Sequence, residues 1–483
     1  MESTSCQMNR KKWRLPVALL LLSASCKTAV PVAQRSNLEL PQQFIAAQDS
    51  NAATISKKVL FTDDQLIKLI NTAVQQNRDV LMAVQRIEVS RSYLRTRKGA
   101  LFPSVEVSAT ASGNKYGDYT MEGVGNYDTN LSGNIDDDQK APVPFTPNYF
   151  LGLRSNWEID LWGKLRNQKK AAYLELLASG QGRNLVITTL VADVASRYYE
   201  LKSLDASLEI IRRNIALQDS AVQIATVQKA AGRTTELGVQ QFRAQLIHSR
   251  SLELKTQQEI TRVEYELNYL AGRFPQPIGR SSGFLQAAIP AVRLDALPEQ
   301  VLSQRPDLRQ AELELKASGA DVAAAKAAFF PALTVSPFAG YNSFNSALLF
   351  HPGSLAYGVL GGLTGPLLNR SLLKGALLKS KAQQQQALYN YEQKVLDAFR
   401  EVETTLNNIQ QLDKMFVLNL EETQVLSEAV TTSNELYKAG YASYLEVITA
   451  QRNAIEASLN AVETKKNRYY AMVNLYRATG GGW

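Results

Sequence analysis

A mainly α, internally duplicated fold with four short strands is predicted by three observations on this 483-residue chain. Landmark segments occur twice in the same order, long stretches lack both Gly and Pro, and four short segments alternate with period two. The repeat is the firmest of the three. Gly99-Ala-Leu-Phe-Pro103-Ser-Val-Glu-Val107 reads against Ala327-Ala-Phe-Phe-Pro331-Ala-Leu-Thr-Val335 at an offset of 228, as do Asn77-Arg-Asp79 against Arg305-Pro-Asp307 and Ala83 against Ala311. Further on the offset falls to 208, pairing Ala231-Gly232 with Ala439-Gly440, Leu267 with Leu475 and Gly272 with Gly480. The first copy therefore carries an insertion, and the polar stretch Gly113–Asn148 is where it is expected. The boundaries that follow are a first repeat over 63–272, a linker over 273–297 and a second repeat over 298–483.

Each repeat is read in the same order. A helical stretch (Asp63–Ala100, then Pro298–Phe329) runs into Phe-Pro, where a residue without an N–H stops the helix. Two alternating segments follow. In Ser104–Ala111 the apolar positions are Val105, Val107, Ala109 and Ala111; Tyr149, Leu151 and Leu153 alternate with Phe150, Gly152 and Arg154. The second copy repeats this with Leu333, Val335, Ala339 and Tyr341, then Tyr357, Val359, Gly361 and Leu363. The predicted strands are 104–113, 149–157, 332–341 and 356–364; a soluble hairpin pair would satisfy the alternation equally. Gly and Pro are then absent over Arg183–Ala231, Val239–Ala271, Ala376–Ala439 and Tyr441–Thr479. Within these windows apolar residues recur at threes and fours, as in a coiled-coil seam. At 1.5 Å per residue, roughly 64 helical residues reach about 95 Å. Such a helix crosses a distance that no globular core requires. The two hairpin tips fall at 232–239 and 440–447.

Composition excludes several functions. With two histidines (His248, His351) and two cysteines (Cys6, Cys26), the chain has no zinc or iron–sulfur ligand set and no disulfide framework. Asp136-Asp-Asp138 lacks the spaced oxygen ligands of a calcium loop and reads as a solvated turn. No phosphate-binding Gly-rich loop, nucleophile elbow or zincin motif occurs, so no catalytic residue, metal site or cofactor is expected. The formal charge of +8 falls to +5 without residues 1–25, which carry Arg10, Lys11, Lys12 and Arg14 against Glu2. A balance that small gives no reason to expect nucleic acid.

Residues 1–25 have the parts of an export signal: a basic start, the apolar run Leu15–Leu22, then Ser23, Ala24 and Ser25 before Cys26. Small residues ending at a cysteine resemble a bacterial lipobox. The resemblance implies a lipidated Cys26 opening an N-terminal segment over 26–62, although the leucine usual three places earlier is Ser23 here. An ordinary signal peptide with an incidental cysteine is the alternative. About eight apolar residues are too few to span a bilayer, and no later run is long enough, so any membrane span must be made of strands. Four strands cannot close a membrane barrel, and open edges in lipid leave unpaired backbone groups. Membrane entry therefore requires several copies to pool their strands.

Trp157-Glu-Ile-Asp160-Leu-Trp-Gly163-Lys-Leu-Arg166, Arg305-Pro-Asp307-Leu-Arg-Gln-Ala311-Glu312, the two Phe-Pro turns and Tyr437-Lys-Ala-Gly440 with Tyr444-Leu-Glu446-Val447 form an ordered set. By it, the chain resembles the TolC-type outer-membrane efflux proteins, in particular their NodT-type lipoprotein branch, over roughly Leu60–Gly480. The resemblance implies a homotrimer joining a twelve-stranded β-barrel in outer-membrane lipid to an α-helical periplasmic tunnel. It further implies a lipid-anchored exit duct of a Gram-negative bacterium, serving small molecules and coupled through a periplasmic adaptor to an inner-membrane transporter. A protein-secreting (type I) outlet and a non-conducting coiled-coil scaffold lipoprotein are the alternatives, and the sequence leaves the cargo open.

The resemblance places Glu446, with Tyr444, near the periplasmic aperture. A ring of carboxylates there favours cations, though in water its self-repulsion is too weak to hold an aperture open or shut. A solvated glutamate at a helix start is the plainer reading. In the first copy the matching acidic position is Gly238, with Glu236 two residues earlier. Adaptor contact is expected at Arg233, Thr234, Thr235, Glu236 and Leu237 of one tip and at Tyr441, Ala442, Ser443 and Leu445 of the other. Trp157, Asp160, Trp162 and Gly163 are expected to build a strand-to-helix junction.

Overall fold

A computed structural model describes residues 41, 43–44, 61–290, 298–366 and 370–481. The first repeat contributes α1 (Asp64–Gln76), α2 (Arg78–Gly99), β1 (Ser104–Lys115), α3 (Met121–Asn130), β2 (Phe145–Ile159), α4 (Lys164–Ala230) and α5 (Glu236–Leu270). The second contributes α6 (Pro298–Gln304), α7 (Pro306–Ala327), β3 (Ala332–Ser343), β4 (Leu355–Thr364), α8 (Arg370–Ala439) and α9 (Tyr444–Ala478). The export signal and Cys26 lie outside the described residues.

The extra length of the first copy sits between β1 and β2, as the repeat offsets require. It holds α3, a helix that the polar composition of the loop concealed; its start is set by the Thr120 hydroxyl, which accepts from the Gly123 N–H at 3.1 Å. The Gly/Pro-free windows also understate the long helices. α4 has 67 residues and runs through Gly180 and Gly182, and α8 has 70 and runs through Gly375. A helical glycine costs about 1 kcal/mol against alanine, a penalty that packing absorbs. At Gly182 the Gln310 side chain of α7 occupies the space a Cβ would face.

The four strands form one antiparallel sheet in the order β1-β2-β3-β4. Directly opposed residues share a face, so the register sorts the side chains. Val107 opposes Leu153, Ala109 opposes Leu151, which also opposes Tyr341, and Ala339 opposes Tyr357. That face is apolar. The other carries Glu106 opposite Arg154, Phe150 between Thr110 and Asn342, and Thr334 opposite Gly362. No described element covers the apolar face: Val107, Tyr357 and Val359 are each about three-quarters exposed. The outer edges of β1 and β4 have no strand partner among the described residues.

Trp157-Glu-Ile-Asp160-Leu-Trp-Gly163-Lys-Leu-Arg166 forms the turn from β2 into α4. The Asp160 carboxylate accepts from the N–H groups of Leu165 (3.1 Å) and Arg166 (2.9 Å), and from Arg166 Nε. Gly163 sits at φ 79°, where a side chain would be strained. Trp157 Nε1 donates to the Leu101 carbonyl, and Trp162 Nε1 donates to the Pro331 carbonyl while its ring stacks on Phe330. Trp162 thereby ties the first repeat's junction to the Phe-Pro turn of the second.

At the opposite ends of α5 and α9 the duplication appears as two latches of one design. Gly272 (φ 68°) and Gly480 (φ 95°) end the returning helices in the left-handed region. A Cβ on either would strike the Gln76 or Gln304 carbonyl, the residues just before Asn77 and Arg305. Asn77 Nδ2 then donates to the Leu270 carbonyl and Arg305 Nη1 to the Ala478 carbonyl, each at 2.9 Å. The same positions thus cap the last helix of each repeat, once with an amide and once with a guanidinium.

The main core lies beside these latches, where α1, α4, α5 and α9 bury Leu66, Val194, Tyr198, Leu201, Leu267 and Met472. The segment after α5 is held against it by cations. Arg280 pairs with Asp205 and Glu264, and Lys202 bonds Ser281 and Asp63. Lys465, 1% exposed, donates to the carbonyls of Leu285 (2.7 Å) and Ala287 (2.5 Å). Burial, with Lys202 nearby, pushes its ammonium down to about 8.

Candidate functional site at the hairpin tips

Both tips are built by the same backbone device. Gly232 (φ 72°) and Gly440 (φ 86°) follow the ends of α4 and α8. The next N–H reaches back five residues: Arg233 donates to the Gln228 carbonyl at 2.9 Å and Tyr441 to the Leu436 carbonyl at 2.8 Å. This is the Schellman closure, which satisfies a helix's last carbonyls and turns the chain. The returning helices then take side-chain caps. The Thr235 hydroxyl accepts from the Gly238 N–H at 3.2 Å. Ser443 and Glu446 make a reciprocal box, the Glu446 carboxylate accepting from the Ser443 N–H at 2.6 Å.

The two acidic residues consequently differ. Glu236 is bridged to Lys229 across its turn; its hydrogen bond and charge hold the carboxyl below the usual range. Glu446 is also lowered, but by its hydrogen bonds to Ser443, and no cation lies within ion-pair distance of it among the described residues. One tip is locally neutralised and the other presents an uncompensated, ionised carboxylate at neutral pH.

Gly238 has a steric reason for lacking the acidic side chain. A Cβ there would lie 3.2 Å from Tyr444 Cδ1. The Tyr444 ring of the second tip rests on the first tip at that point. Around this contact a small core forms from Ala225, Val239, Phe242, Tyr437 and Val447, with the Phe242 and Tyr437 rings 5.8 Å apart. Gln228 Nε2 also donates to the Tyr437 carbonyl. Repeat alignment sets Gly238 against Glu446, but nothing in the sequence pointed to its contact with Tyr444.

Of the other residues singled out by sequence, Arg233, Thr235, Glu236, Leu237, Tyr441, Ser443 and Leu445 are exposed; Thr234, Ala442 and Tyr444 are half-buried. Leu237 and Leu445 occupy equivalent positions in the two repeats, and with Tyr441 they leave apolar surface uncovered at both tips. Further up the hairpins, Gln218 of α4 and Gln451 of α9 are each 1% exposed, and both of their amide groups lack a hydrogen-bond partner. Each unpaired buried group costs about 1–3 kcal/mol.

A family model described as outer membrane efflux protein matches residues 69–273 and 297–481. Among curated relatives, a Salmonella typhimurium protein named "Probable outer membrane lipoprotein SilC" is 28% identical across 97% of this chain and 98% of its own. The solvent efflux pump outer membrane protein SrpC of Pseudomonas putida is 26% identical, with the same shares covered. Among solved structures the chain is similar to CusC, described as forming a transmembrane channel, with a TM-score of 0.81 and 26% identity over 94% of this chain and 100% of that one.

Proposed function

The chain belongs to the outer membrane efflux protein family, and from that premise we propose that it is the passive exit duct of a tripartite efflux pump, assembled as a homotrimer. The observation that carries this reading is the uncovered sheet. Its apolar face suits lipid, while its two open edges would each leave several kcal/mol of unpaired backbone per group in a membrane. Pairing β1 of one copy with β4 of the next satisfies both edges, and three copies give twelve strands, enough to close a barrel. The helices support the same assembly. α5 exposes Ile247, Leu254, Tyr265 and Tyr269, and α8 exposes Met415, Leu418, Val425 and Leu436, on the two helices that flank the α4–α9 pair.

In this assembly the paired tips lie at the periplasmic end. Leu237, Tyr441 and Leu445 supply contact for a periplasmic adaptor, which joins the duct to an inner-membrane transporter that selects cargo and supplies energy. Three copies of Glu446 form an anionic ring at the aperture, next to Tyr444. Cys26, after removal of the signal, anchors the chain to the outer membrane through lipid. Replacing Cys26 with Ser should abolish acyl labelling of the mature chain, and retained label would remove that assignment.

Planar-bilayer recording of the purified protein tests the duct. We expect discrete channels that prefer cations at low salt, and a Glu446→Gln variant that conducts with weaker preference. Trimers that never conduct would overturn the duct in favour of a scaffold, whereas an unchanged preference in Glu446→Gln would remove only the ring.

A further inference from the structure

The helix ends nearest the sheet carry a concentration of unneutralised positive charge. α2 ends with Lys98 just before β1, and α7 with Lys326 just before β3. α4 and α8, which leave β2 and β4, carry Lys169, Lys170 and Lys374 within their first two turns. Lys169 is half-buried and the other four are exposed. None of the five makes an ion pair among the described residues, and the acids further along α4 and α7, Glu175 and Asp321, have the Arg97 guanidinium as their cation. The two acids at the β2–α4 junction, Glu158 and Asp160, are engaged by Lys164 and Arg166. The chain has no Asp or Glu between Glu88 and Glu106, and none between Asp321 and Glu392. Like charges are even crowded here: burial, and after it the neighbouring Lys326, lower the Lys381 ammonium.

The order of side chains along the molecule is informative. The apolar sheet face comes first. Next comes a band of exposed aromatic rings, Phe102, Trp162 and Phe330, of the kind that settles where lipid tails meet head groups. The lysines follow immediately. At 1.5 Å per residue, Lys170 and Lys374 lie within roughly 10 Å of the starts of their helices. A lysine stem spans much of that distance while lying on apolar surface. We propose that Lys98, Lys169, Lys170, Lys326 and Lys374 form a collar that binds anionic phospholipid head groups in the periplasmic leaflet. Clustered lysines beside a membrane-embedded element attract anionic lipid in preference to zwitterionic lipid. The inference rests on the proposed reading of the sheet as embedded in the membrane.

The test is to place the full chain in phosphatidylcholine vesicles containing spin-labelled phosphatidylglycerol or spin-labelled phosphatidylcholine, and to measure the lipid immobilised at the protein surface. We expect phosphatidylglycerol to be preferred roughly threefold, with the preference weakened by salt. Simultaneous Lys→Gln replacement of the five residues should abolish the preference and leave immobilised phosphatidylcholine unchanged. Lys326→Gln with Lys374→Gln should reduce it, which keeps the test open should the fivefold variant not assemble. Lys255→Gln with Lys414→Gln, in the long helices away from the sheet, should not alter it. Equal immobilisation of the two lipids by the wild type, or a preference that survives loss of the collar lysines, overturns the collar alone. Absence of any immobilised lipid overturns the embedded sheet and the collar together.

Discussion

Arg305→Met should destabilise the protein by about 3–5 kcal/mol, the range for removing one partner from a buried ionic cluster. Arg305 is 8% exposed and makes four side-chain hydrogen bonds. Its guanidinium holds Asp307 at 3.1 and 2.8 Å, the Glu401 carboxylate at 2.9 Å and the Ala478 carbonyl at 2.9 Å. Methionine approximates the stem and supplies no donor, so Asp307 and the end of α9 lose their partner; Glu401 keeps Arg477 at 2.8 Å. The pH dependence identifies the mechanism. Burial alone would raise Asp307, but the Arg305 hydrogen bond and charge outweigh it and hold the carboxyl below its usual value. A carboxyl depressed in the folded state stabilises above its unfolded pKa of about 4, and that contribution disappears as pH falls through the folded value. The gap in melting temperature between wild type and Arg305→Met should therefore be widest at neutral pH and narrow in acid. An unchanged melting temperature, or a gap indifferent to pH, would rule the cluster out as the origin.

Asn77 indicates why this latch is only partly legible in the sequence. Aligning Asn77-Arg-Asp79 with Arg305-Pro-Asp307 marks the two positions as equivalent. It does not disclose that both side chains reach a helix end 193 and 173 residues away. Periodicity and breaker residues locate elements, so the four strands, both tips and the Phe-Pro helix stops could be read directly. Long-range partners are chosen by packing, which leaves no local trace. The same limit applies at the tips. The glycines at 232 and 440 announce turns, whereas the seat of Tyr444 on Gly238 exists only because two hairpins of one chain meet. Glu446 was legible as a residue at a helix start; its lack of a cationic neighbour, in contrast to Glu236 beside Lys229, emerged only from the fold.

Gly340→Val should abolish the trimer and with it all conductance. β2 and β3 belong to different repeats, and their pairing alone joins the two hairpins into one sheet. Within that pairing Gly152 stands directly opposite Gly340. A Cβ on Gly340 would lie 2.5 Å from the Leu151 carbonyl oxygen and 2.6 Å from the Gly152 Cα; one on Gly152 would lie 2.5 Å from both the Ala339 carbonyl oxygen and the Gly340 Cα. These neighbours are backbone and cannot swing aside, so valine must force the strands apart. Neither glycine is at positive φ, so the requirement is for close approach and not for an unusual turn. Separated hairpins would present two additional open edges, and a barrel with unpaired strands does not persist in lipid. Gly361→Val in β4 is the control, because a Cβ there meets nothing within 4 Å. It should retain a trimer on native gels and channels in planar bilayers. A conducting Gly340→Val trimer would show that the β2–β3 seam is not what holds the barrel wall together, and equal loss in both variants would reduce the effect to a general intolerance of larger side chains.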